Sequence, residues 1–298
     1  MREKANIGAL THDYHWTSLH LACRNGHSGV VDILVSGKAM IDALDDFNRT
    51  PLHFACQNGH KDVVDTLISK GANIDALTQN KCTALHISAF KGYYVIVDLL
   101  LDKGANVNAV ETKKCTPLHL ACQNGHKEVV KRLIRKQANI NALANDYWTP
   151  LHFACHNGHK EVVEILIREK ANISACAYNF WTPLHVACQN GNIEVVEILI
   201  KEKAKIAALA NDYWTPLHFA CQNGHKKIVE MTALQGPAFH RYPTDVLLTH
   251  HPGFVDAHTG LTDLFLSTLL RRISVTTGDA ALFHWAALPA TYVMHRRC

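Results

Sequence analysis

Apolar residues fall along this chain in two short clusters that return at a fixed distance. After Thr116, Leu118, Ala121 and Cys122 stand at i, i+3 and i+4, which is one face of a short helix. Thr116 suits the N-cap of that helix and Pro117 its first turn, where a missing N–H costs nothing. Asn124-Gly125 closes it, because glycine accepts the left-handed conformation common at a helix C-terminus. A second helix is expected over 127–136. Val129, Val130, Leu133 and Ile134 form its buried stripe, with Lys127, Glu128, Lys131 and Arg132 in solvent. Residues 138–142 then lead into an extended finger ending at Trp148.

The threonine of this unit has counterparts at Thr17, Thr50, Thr83, Thr149, Thr182 and Thr215, in steps of 33 residues. A fixed period of that length marks a stacked-repeat protein. Neither helix is long enough to stand alone, so each pair must bury its apolar side against the next. The T-P-L-H-x-A core at this period resembles the ankyrin repeat, over residues 1–233. The resemblance implies an all-α ankyrin solenoid, helix-turn-helix repeats with β-hairpin fingers, about seven repeats long.

The units are not identical. The first has an extra residue before its threonine. The third has Ala84 for proline and Ser88-Ala89-Phe90-Lys91 for Ala-Cys-Gln-Asn, and is expected to fold but to be locally weaker. Residues 144–160 and 210–226 differ only at His156 versus Gln222, which looks like duplication. Residues 2–7 resemble 168–173, the end of a repeat, so the array is expected to be a fragment of a longer one. From 234 to 298 the chain has no lysine, glutamate or asparagine and resembles no family. It is taken as a separate tail, in which 261–273 could form an apolar helix over the end of the array.

Composition narrows the function classes. A net charge of +4 is too small to argue for nucleic acid or an anionic membrane. No apolar run reaches the ~18–20 residues of a membrane span, so no membrane insertion is expected, and no leader is evident. Of the ten cysteines, six share one repeat position. Equivalent positions in stacked helices lie about 10 Å apart, beyond the ~7 Å a disulfide spans. Reduced core thiols and a cytoplasmic, monomeric protein are expected.

His119-x2-Cys122-x3-His126 has a zinc-like spacing. The trio repeats along the array, and the resemblance implies structural roles instead: the first histidine ties neighbouring loops and the second starts the second helix. A catalytic thiol must be exposed and activated, whereas this one is repeated and points inward. His250-His251 is the nearest thing to a ligand pair in the tail. No enzyme activity, metal or cofactor is expected.

The residues before the threonines are Trp16, Arg49, Cys82, Cys115, Trp148, Trp181 and Trp214. In ankyrin proteins this position faces the concave groove. Tyr147, Phe180 and Tyr213 sit beside three tryptophans, where the family often has glycine, and such residues do not readily take positive φ. The aromatics either stack on one another or contact a partner, since tryptophan, tyrosine and arginine dominate interface hot spots. His156, Gln123, Asn124, Gln189, Asn190, Gln222 and Asn223 would add polar contacts, although the asparagines also suit helix ends. The resemblance thus implies a protein-binding module or scaffold. The alternatives are a targeting or spring segment of a larger channel or modifying enzyme, or a secreted effector of a symbiont or pathogen.

Overall fold

The computed structural model describes residues 6–235. The tail, with its expected helix over 261–273 and His250-His251, lies outside the described residues, as do residues 1–5. Within them the chain forms helix pairs: α1 (Ser18–Arg24) with α2 (Ser28–Ser36), α3 (Pro51–Asn58) with α4 (Lys61–Ser69), α5 (Ala84–Lys91) with α6 (Tyr94–Asp102), and α7 (Pro117–Gln123) with α8 (Lys127–Arg135). Then come α9 (Pro150–His156) with α10 (Lys160–Arg168), α11 (Pro183–Gln189) with α12 (Ile193–Lys201), and α13 (Pro216–Gln222) with α14 (Lys226–Gln235). Each helix packs on its own partner and on its counterpart one unit along. The core is therefore continuous, built from Leu118, Cys122, Val130 and Leu133, all fully buried, and their equivalents, of which Leu34, Leu217 and Cys221 in the first and last units are only half-buried.

The recurring tetrapeptide has a physical reason in this stack. In the fifth unit the Thr149 amide donates to His152 Nδ1 (3.2 Å), and the His152 amide donates to Thr149 Oγ1 (3.4 Å). That is a capping box in which histidine stands where glutamate usually does. With Nδ1 an acceptor, Nε2 carries the proton and donates to the Trp181 carbonyl of the next finger (3.1 Å). One side chain thus caps its own helix and fixes the neighbouring loop. The second histidine points the other way: His159 Nε2 donates to the Gln123 carbonyl of the preceding unit (3.0 Å). A third link comes from the stretch after each second helix, where the Asn139 amide donates to Asn108 Oδ1 (2.8 Å).

Two expectations need correction in detail. The fingers contain no β-ladder among the described residues: each is a tight turn closed by a backbone bond, such as Ala144 N–H to the Trp148 carbonyl (2.9 Å), and Leu10 with Thr17 forms an isolated bridge. Three residues between the closing partners, as in 145–147, make a tight turn with a single closing bond. On α8, Ile134 is only half-buried, and Arg132 is not simply in solvent. Its guanidinium lies over Tyr94 (4.5 Å) and pairs with Asp98 of the preceding unit. The third unit is complete, with the Thr83–His86 capping box intact and Ser88 Oγ donating to the Ala84 carbonyl (2.9 Å).

The residue two past each second helix is left-handed: Gly71 and Gly104 at φ 92°, but Gln137 at 64°, Lys170 at 66° and Lys203 at 64°. A side chain there costs about 1–2 kcal/mol, partly offset by glycine's greater entropy when unfolded. Lys170→Gly is expected to stabilise the array by about 0.5–1 kcal/mol, read as a higher urea midpoint.

Candidate protein-binding surface

The fingers and first helices form one face, because the tryptophans before Thr17, Thr149, Thr182 and Thr215 pack on first-helix side chains. Trp148 meets Phe153 edge-on (5.2 Å) and His156 (5.6 Å). Trp181 and Trp214 hold Phe219 between them, at 4.5 and 5.0 Å. The tryptophans therefore stack on first-helix phenylalanines, and no tryptophan–tryptophan pair occurs among the described residues.

The sequence-derived candidates separate into two groups. At the start of the array they are spent on one another. Asp45 is buried and accepts from the Arg49 amide (2.7 Å), the Phe47 amide (2.9 Å), Arg49 Nε (2.8 Å) and Trp16 Nε1 (3.2 Å). Burial pushes its carboxyl up, but the Arg49 bonds and charge outweigh this and hold it below the usual range. Arg49 also lies over Phe54 (4.5 Å), and Trp16 is stacked on Tyr14 (5.3 Å) under Arg24. These residues brace their own fingers.

In the second half the same register is open. Trp148, Trp181 and Trp214 are half-buried, and among the described residues their Nε1 groups have no protein acceptor. Tyr147, Phe180 and Tyr213 sit at φ 60°, 59° and 59°. The structure thus places them in the conformation the sequence argued against. Left-handed backbone with a large side chain costs about 1–2 kcal/mol each. That cost is not offset by burial, since the three rings are 60%, 62% and 55% exposed. Tyr178, 63% exposed, is a further aromatic on the finger of Phe180. It lies four places before Thr182, where the corresponding residues of the neighbouring fingers are Asn145 and Asn211, so the sequence pattern did not single it out.

The wall residues divide too. His156 is half-buried, its ring Nδ1 accepting from Asn190 Nδ2 (3.2 Å), and burial lowers its pKa. Asn124, Asn190 and Asn223 donate to the carbonyls four residues back (2.8–2.9 Å), so they finish their helices. Gln189 is half-buried and Gln222 exposed, both available on this face.

The histidine–cysteine trio is occupied by the fold. Burial pushes the Cys56 thiol up to about 12 and lowers His53, His119 and His152 to about 4. No disulfide joins cysteines among the described residues, and the first-histidine nitrogens are committed to backbone groups. No helix among the described residues is long and apolar enough to cross a membrane.

A family model for ankyrin repeats (3 copies) matches residues 2–78, 19–111, 85–176 and 171–236. Among solved structures, the crystal structure of the human ASB11 ankyrin repeat domain is similar, with a TM-score of 0.69 and 25% identity, over 74% of this chain and 99% of that chain. No curated protein matches the sequence.

Proposed function

Because the chain belongs to the ankyrin repeat family, whose repeats are protein–protein interaction modules, we propose that its finger-lined face binds another protein at residues 147–222. The observation that carries this reading is the row of exposed aromatics held in left-handed backbone. Stability alone would favour glycine there, so the rings are kept for something outside the array. The free indole N–H groups beside them supply donors, and the preformed stack loses little entropy on docking.

Replacing Tyr147, Phe180 and Tyr213 by glycine tests it. The triple variant is expected to melt at or above the temperature of the parent chain and to lose at least about 100-fold in affinity for a partner captured by the parent. Trp148→Ala, Trp181→Ala and Trp214→Ala are expected to weaken the same partner, with some loss of stability because those rings touch Phe153 and Phe219. A partner that binds every variant equally would refute the reading.

A further inference from the structure

The finger tips carry a second pattern. The left-handed residue two places before each threonine is His15, Asn48, Lys81, Lys114, Tyr147, Phe180 and Tyr213 in chain order, with φ between 52° and 60°. Equal conformation at equal register puts these side chains in one row, and all are exposed. Lys113 lies next to Lys114 and is exposed as well. No ion pair among the described residues uses Lys81, Lys113 or Lys114. The finger's own carboxylate is turned inward: Glu111 accepts from the Lys113 and Cys115 amides (2.9 and 3.0 Å) and from Thr112 Oγ1 (3.0 Å). The acid on the adjoining finger is Asp146, at the register of Lys113. The row is thus basic over two fingers and aromatic over the next three.

We infer that the partner presents an extended segment of about 12 residues, acidic at one end and apolar at the other, with its carboxylates on Lys81, Lys113 and Lys114 and its apolar side chains between the aromatic fingers. This rests on the reading of the face as a protein-binding surface. The length follows from four finger steps of about 10 Å, roughly 40 Å, at about 3.3 Å per extended residue. A single-stranded nucleic acid is the competing occupant, because bases stack on aromatics and phosphates attract lysine. It fits less well: a polyanion needs positive charge along its whole path, and the aromatic fingers carry Asp146 and no lysine or arginine at the tips.

The test is a display library of random 16-residue peptides selected on the full chain. Enriched peptides are expected to carry aspartate or glutamate at one end and leucine, isoleucine or aromatic residues at the other, in a single order. Synthetic copies should bind at least 10-fold more weakly to the Lys81→Glu/Lys114→Glu variant, and peptides with the two blocks exchanged should also bind at least 10-fold more weakly. Fluorescent oligothymidylate should not compete. Peptides lacking acidic residues, equal binding to the charge-reversed variant, competition by oligothymidylate, or no enrichment would each overturn the inference. If the peptides ignore the lysine changes but lose binding with Trp148→Ala, Trp181→Ala and Trp214→Ala, the surface stands and only its bipartite partner fails. If they ignore both, the surface itself is wrong.

Discussion

Lowering the pH from about 7 to about 4.5 is expected to unfold the array or bring it close to unfolding. His53, His119 and His152 are neutral in the fold, their Nδ1 atoms accepting from threonine amides. Burial penalises the charged ring, so the folded pKa falls to about 4 from the ordinary 6.5, and a proton on Nδ1 would moreover face that amide N–H. The unfolded chain takes up these protons first. Stability is therefore fully present above the unfolded value, declines as the pH falls below about 6.5, and stops declining near the folded value. At pH 4.5 each histidine withdraws about 2–3 kcal/mol, and three together roughly 6–8 kcal/mol, comparable to the whole stability of many domains. Asp45 does not share this window, since its lowered carboxyl loses its contribution only in stronger acid. Urea midpoints followed by circular dichroism at pH 7, 5.5 and 4.5 measure the effect. A midpoint unchanged at pH 4.5 would mean these imidazoles are not held neutral.

Gly125→Ala is expected to cost about 2–4 kcal/mol, far more than an exposed loop position normally would. Gly125 is left-handed at φ 73°, and a β-carbon there would come within 2.6 Å of His159 Nδ1 in the next unit. The ring must move, and its bond to the Gln123 carbonyl goes with it. Gly224 supplies the control: it has the same position and a φ of 72°, but among the described residues no atom lies within 4 Å of where its β-carbon would stand. Gly224→Ala should lose only the backbone part, about 1 kcal/mol. Equal losses at the two sites would show that the histidine contact contributes nothing.

Most of the architecture was legible because its signals are local and repeated. Thr116-Pro117-Leu118-His119 announces a capped helix, and its 33-residue return announces stacking. The site was harder to read, for reasons that particular residues illustrate. Arg49 looked like a hot spot by residue type, yet Asp45 stands four places before it and neutralises it. That spacing was visible in the sequence. Trp16 and Trp148 occupy one register and differ only in what surrounds them. Trp16 reaches Asp45, and the place that would hold a matching acid for Trp148 is filled by Ala177. Tyr147 at positive φ contradicts a residue preference, because the turn's closing bond and the stacked neighbours fix the backbone before the side chain is consulted.

The first histidine reaches 29 residues ahead and the second 36 residues back, so adjacent units interlock in both directions at one spacing. Lengthening or trimming the stretch between two coupled units is therefore tolerable only in whole copies; the extra residue of the first finger lies outside the His20–Arg49 and His60–Arg24 couplings. The same rule leaves the order of copies free. The Lys114 unit and the Tyr147 unit have the same front and back couplings, His119 and His152 reaching ahead and His126 and His159 reaching back, so evolution or an engineer can rearrange what such units display while leaving how they stand untouched.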